Sequence, residues 1–169
     1  MPSPTLQTRV GDAPRVIAPG VASLGPIHRQ DFLLGWIPEQ SLAINVRGKG
    51  LVLVIGCGHP TVQEIVARAR MLCEEPIYGV IGGLHLPVTA SRSRLFGFLS
   101  QQNVGTGKWL WDPINRTDVT DAIACLQTVR PSLVALSPHD SCDWSLAAFR
   151  QGFPEACEDV RVGREILVA

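Results

Sequence analysis

The sequence predicts an α/β domain built on one mixed sheet, with helices covering one face of it. Two observations carry that expectation. From residue 50 onward, short apolar runs bounded by glycine and proline alternate with stretches of helical spacing, the signature of strands joined by helices. In addition, Leu51-Val52-Leu53-Val54-Ile55 is apolar at every position, which is how a strand buried on both faces reads. The 169 residues suit one domain spanning 1–169, with residues 1–40 as a Pro/Gly-rich lead-in. Apolar residues make up 46% of the chain and charged ones 18%, enough for a core and unlike a disordered tail.

Each element has its own signal. Arg15-Val16-Ile17 reads as a short strand, and Ser41–Val46 as an alternating one. The basic glycine turn Arg47-Gly48-Lys49-Gly50 joins the latter to Leu51–Ile55, which makes a hairpin. Pro60 suits the first position of a helix, where its missing N–H costs nothing, and Val62, Ile65, Val66, Ala69 and Leu72 continue at helical spacing. This helix, 60–74, should stop before Pro76. A strand Ile77–Ile81 ends in Gly82-Gly83. Residues 87–113 form a long connection, and so long a loop in a compact domain is more often functional than idle. Helix 117–129 carries Asp118 and Asp121 in its first turn, where the dipole favours acids. Strand Leu133–Leu136, helix Cys142–Gln151 and a last strand Val160–Val168 complete the sheet and its cover.

Charge and cysteine usage narrow the function classes. Fifteen basic residues balance fifteen acidic ones, so no electrostatic footprint points to nucleic acid or an anionic membrane. No apolar run approaches the ~18 residues of a membrane helix, and Met1-Pro2-Ser3-Pro4 begins no secretory signal. Five cysteines, at 57, 73, 125, 142 and 157, are odd in number and lack C-x-x-C spacing. That argues against a disulfide framework and for a reducing, cytoplasmic setting.

The chemistry gathers at strand ends. His59 follows Leu51–Ile55 through Gly56-Cys57-Gly58, His85 follows Ile77–Ile81 through Gly82-Gly83-Leu84, and His139 follows Leu133–Leu136 through Ser137-Pro138. The carboxyl ends of such strands form the crevice where α/β sheets bind ligands. Three neutral imidazoles with an open position describe a catalytic zinc site, and the small residues beside them let the backbone turn inward. A single such histidine is more often a hydrogen-bonded structural residue; the shared setting of three is what lifts the ligand reading. Asp140 could ligate metal, orient a histidine, or cap the helix that follows. Cys57 and Cys142 could be soft ligands or small residues buried at tight turns. His28 follows no predicted strand and reads as a surface residue. Gly105-Thr106-Gly107-Lys108 is not a P-loop, since Gln102 and Trp109 stand where the pattern needs Gly and Ser/Thr.

These segments resemble the metallo-β-lactamase superfamily: Gly50–Pro60 with its Gly-Cys-Gly-His, Val80–Leu86 with Gly-Gly-Leu-His, and Ser137–Cys142 with Pro-His-Asp-Ser-Cys. Within it they are most similar to the dihydropterin-ribofuranosylaminobenzene-phosphate synthase-like metal-dependent hydrolases, along about Val16 to Val168. The resemblance implies a four-layer αββα sandwich with a divalent metal, zinc or another, at the sheet edge. It implies His59 on a first metal, His139 on a second, and His85 as the branch's own extra histidine, where many relatives place a bridging Asp.

The departure is as informative. The superfamily's His-x-His-x-Asp-His is absent, and the first motif present already belongs to the family's second half. The expectation is therefore half of the sandwich: one mixed sheet, helices on one face, and about half of the ligand set. Two functions compete. One is a metal-dependent hydrolase half completed by a separate N-terminal-half chain; the other is a non-catalytic module that self-associates or binds a partner. A sheet face apolar on both sides predicts a homo-oligomer or such a complex.

Overall fold

The computed structural model describes residues 11–89, 100–109, 111–139 and 141–168. Its strands are β1 (Arg15–Ala18), β2 (Val21–Asp31), β3 (Gly35–Val46), β4 (Gly50–Ile55), β5 (Ile77–Gly82) and β6 (Leu133–Leu136). The helices are α1 (Val62–Leu72), a short α2 (Ser100–Asn103), α3 (Arg116–Val129) and α4 (Asp143–Gly152). The six strands form one sheet in chain order. β1 to β4 pair antiparallel through tight turns, and β4, β5 and β6 pair parallel, with α1 and α3 as their crossovers.

Local chemistry explains the boundaries. α1 begins after Thr61, whose hydroxyl accepts from Glu64 N, so Pro60 lies before the cap rather than inside the helix. Asn115 and Asp118 form a reciprocal capping box at the start of α3, and Arg130 ends it in the left-handed region. Cys142, not Asp140, occupies the N-cap position of α4; Asp140 itself lies outside the described residues.

Register decides what each face of the sheet buries. Ala43, Leu53 and Val80 lie opposite one another, as do Leu42, Val54 and Ile81. Side chains alternate along each strand, so these are the two faces. Leu51, Leu53 and Ile55 join Ile65, Ala69, Val119, Leu126 and Phe149 in one buried cluster beneath α1, α3 and α4. On the opposite face Val52 is buried, while Leu42, Ile44, Val54 and Ile81 are half-buried.

Two expectations need correcting. β2 and the first half of β3 run through residues read as a lead-in; Gly25 and Pro26 sit in a register irregularity between Ser23 and Pro26, which breaks the alternation that marks a strand. His28 is accordingly inside β2, although exposed as expected, with its ring edge-on to Trp36. The final strand Val160–Val168 is absent: this stretch is turns and irregular backbone, and Val162 is fully exposed. The edge of β6 it would have paired with is already taken, because Val134 N donates to Ala156 O and Glu158 N to Val134 O. Among the described residues no helix is long and apolar enough to cross a membrane, and none of the five cysteines is in a disulfide.

Candidate functional site

The site lies where β4 and β5 end side by side. The loops after them touch backbone to backbone, with Gly83 N donating to Gly56 O at 2.8 Å. Gly58, at φ +84, permits this: a Cβ there would stand 2.5 Å from Gly83 O and 2.7 Å from Leu84 Cα. The close approach brings the rings of His59 and His85 to 4.8 Å between centroids, tilted by 48°.

Each ring is bonded within the chain. Glu39, on β3, takes Gly58 N at 2.7 Å on Oε1 and, on Oε2, His59 N at 3.0 Å and His59 Nδ1 at 3.1 Å. Burial pushes the Glu39 carboxyl up, but the hydrogen bonds from the His59 ring and the two backbone amides outweigh it and hold it below the usual range. It is therefore ionised, and Nδ1 of His59 donates to it. His85, 7% exposed and at φ +46, donates from Nε2 to Val104 O at 3.0 Å.

Val104 belongs to a loop that crosses over both rings. Gly105, at φ +78, sits so close that a Cβ would lie 2.7 Å from His59 Cδ2, 2.8 Å from His59 Nε2 and 3.4 Å from His85 Cε1. Two residues at the end of β2 tie the loop down. Asp31 Oδ2 accepts from Gly105 N at 2.7 Å, while its Oδ1 accepts from Leu33 N and Leu34 N at the hairpin tip. Arg29 Nη2 donates to Thr106 O at 2.6 Å. Burial raises the Asp31 carboxyl, and the amides of Leu34, Leu33, Gly105 and Gly107 more than offset it. Burial lowers the Arg29 guanidinium despite Asp118, Glu64 and Asp31 nearby. Lys108 closes the outer side through Asp118 at 2.9 Å. The cleft so enclosed holds about 80 Å³, room for a few waters, between the two imidazoles, Arg29, Thr106 and the first turns of α1 and α3.

Of the residues singled out by sequence, His59 and His85 come together. His139 is on the exposed turn after β6, at the same edge of the sheet, and does not line this cleft. Cys57 is half-buried in the loop before His59. Cys142 is 1% exposed at the start of α4, its Sγ 3.2 Å from Ser145 Oγ. Burial pushes its thiol up, and the hydrogen bonds of Ser145 and Thr89 bring it below the usual range. Among the described residues no three His, Cys, Asp or Glu side chains are grouped to hold a metal ion, so these donors alone do not make a metal centre. Sequence reasoning passed over Glu39, Asp31 and Arg29, which carry no motif, and set Gly105 aside with the rejected phosphate loop. The length of the 87–113 connection was the one signal that pointed toward it.

The chain matches no family model and no curated protein. Among solved structures it is similar to a metal-dependent hydrolase of the β-lactamase superfamily, with a TM-score of 0.68 at 15% identity over 96% of this chain. The match covers 59% of that protein, so the chain spans about three-fifths of its length. It is also similar to a metallo-β-lactamase from Hirschia baltica (TM-score 0.41, 19% identity, 90% of this chain and 53% of that one). A third likeness is to an NDM/FIM-1-like metallo-β-lactamase from Erythrobacter litoralis in mono-zinc form (0.39, 17%, 79% and 48%). The first of these places the mixed sheet and its helices with the metallo-β-lactamase fold; identities this low speak for the fold alone.

Proposed function

We propose that this chain carries one half of a metal-dependent hydrolase site, corresponding to the C-terminal half of a metallo-β-lactamase sandwich, and that another polypeptide supplies the remaining ligands. The observation that carries this reading is the pair of imidazoles, His59 and His85, held 4.8 Å apart at the carboxyl edge of adjacent parallel strands. Among the described residues the donors do not complete a zinc site. His139 and Asp140 remain the candidates for joining them on this chain, with Cys57 and Cys142 as alternatives. The half-buried apolar face of Leu42, Ile44, Val54 and Ile81 supports an assembly, either a second copy or a separate N-terminal-half chain. A site of this kind would hydrolyse an ester-, phosphoester- or amide-like bond, since a divalent ion activates water for such attack.

A second reading, a partner-binding module without chemistry, draws support from one feature: both imidazoles are already bonded to the chain itself, to Glu39 and to Val104. Zinc titration followed by elemental analysis, on wild type and on His59→Ala, separates the two. The half-site reading expects at most one weakly held ion per chain, lost in the variant, and negligible phosphodiester or lactam hydrolysis by the chain alone. No zinc uptake would favour the module; two tightly held ions, or robust turnover unaffected by His59→Ala, would overturn the half-site. For the assembly, sedimentation equilibrium at micromolar concentration should show a species larger than one chain, and a clean monomer would count against self-association.

A further inference from the structure

We propose that Arg29 is the anion-binding residue of this cleft, so that the molecule it takes carries an oxyanion, a phosphate or a carboxylate. This rests on the cleft being the functional site and deepens that reading by naming the charge of what enters it. Arg29 stands on β2, half-buried, and lines the cleft together with Thr106, Lys108 and the first turns of α1 and α3. Backbone sets its position. Nη2 donates to Thr106 O at 2.6 Å, and the guanidinium lies against Gly107, where a Cβ at φ +66 would collide with it. A guanidinium is all donors, and that carbonyl engages one of them.

What Arg29 lacks is a counter-ion. Among the described residues no carboxylate comes within ion-pair distance of it, although Asp118, Glu64 and Asp31 are near enough to act on its charge. Each of these acids is engaged elsewhere or turned to water. Asp31 accepts Leu33 N and Leu34 N on Oδ1 and Gly105 N on Oδ2. Asp118 meets Lys108 through Oδ1 at 2.9 Å and Asn115 N through Oδ2 at 2.8 Å. Glu64 is exposed on α1, and Asp121 is exposed on the wall that α3 gives the cleft. Lys108, the other cation of the lining, is already held by Asp118. Charges taken out of water are ordinarily paired, so a half-buried guanidinium with open donors and no acid against it is a seat for an anion from outside. Its fork matches two oxygens of one phosphate or carboxylate, and partial burial strengthens that pairing. The cleft beside it, about 80 Å³, admits one such group rather than the whole of a large substrate.

Titration of the metal-free chain, held in chelator, with inorganic phosphate and separately with acetate at constant ionic strength tests this. In ¹H–¹⁵N spectra the Nε–H signal of Arg29 and the amides of Thr106 and Gly107 should move and saturate, and the tighter of the two anions identifies the group. Arg29→Gln removes the charge and keeps a donor for Thr106 O. Its affinity for that anion should fall on the order of tenfold, the worth of one charge-assisted hydrogen bond, and Arg29→Lys should retain part of it. An Arg29 that only holds the loop would lower stability in both variants and leave the anion affinity unchanged, which would overturn the proposal. So would the absence of saturable binding, or binding that leaves the Arg29 Nε–H signal where it was. If Arg29→Gln fails to fold, the wild-type spectra and Arg29→Lys decide. The titration needs no metal, no partner and no turnover, so its failure is distinguishable from failure of the half-site reading, which zinc uptake decides.

Discussion

The two regions that build the cleft work by different physics. The ends of β4 and β5 present His59 and His85 from backbone packed so tightly that Gly58 has no room for a Cβ, and the strands behind them bury Leu53, Ile55 and Val80 in the core. The β2–β3 hairpin reaches the same place with its side chains: Arg29, Asp31 and Glu39 extend from long strands whose tip exposes Leu33, Leu34 and Trp36. One region fixes position by packing and the other by charge-assisted hydrogen bonds. The edge carries the two imidazoles, while the hairpin lying across it meets one of them through Glu39 and ties down the loop above both through Asp31 and Arg29.

The largest expected effect measures that contrast in stability. Leu53 is fully buried in β4 between β3 and β5, and Leu53→Ala should cost about 2–5 kcal/mol in urea denaturation through lost burial and a residual cavity. Trp36, larger but 67% exposed on the hairpin, should change stability by about 0.5 kcal/mol or less when replaced by Ala. Comparable losses would mean that the hairpin is part of the core rather than an arm laid over it.

The next effect falls where the two regions meet. Gly105→Ala would place a non-glycine residue at φ +78 and push a methyl into the His59 ring, at about 1–3 kcal/mol in all as the loop lifts to relieve the contact. Denaturation should register the loss, and the ring signals of both histidines should move. Unmoved rings in a stable variant would show that the loop does not bear on them.

The same contrast explains what the sequence made legible. His59 and His85 are announced by the glycines that tight strand ends require, and β4, α1, β5, α3, β6 and α4 by runs whose apolar period matches their burial. Glu39 and Asp31 are single acids in a strand, indistinguishable by composition from solvent-facing ones, because what sets them apart is the backbone they hold, 20 residues on for Glu39 and 74 residues on for Asp31. β2 was hidden by its own irregularity at Gly25-Pro26. Residues 160–168 had a strand-like apolar pattern but no open edge to pair with, and pairing is a property of the neighbour, not of the segment.

The smallest expected effect concerns acid. Asp31 is 2% exposed and its bonds come from the amides of Leu33, Leu34 and Gly105, so the folded state holds its carboxyl below the usual value, which is near 3.9 for Asp. A carboxyl depressed on folding contributes stability that is fully present above its unfolded pKa and is lost as pH falls through the folded one. Asp31→Asn keeps the shape and removes the titration. At pH 7 the variant should be less stable than wild type by about 1–3 kcal/mol, because an amide replaces a charged acceptor facing several backbone N–H groups. Below about pH 4 wild type progressively gives up that advantage, and the two stability curves should draw together. Other carboxylates titrate in both proteins, so the difference between the curves isolates Asp31. If the gap stays constant from pH 7 to pH 3, Asp31 is not held as an anion by the loop it clasps, and the hairpin arm has lost one of its two acidic anchors on the cleft.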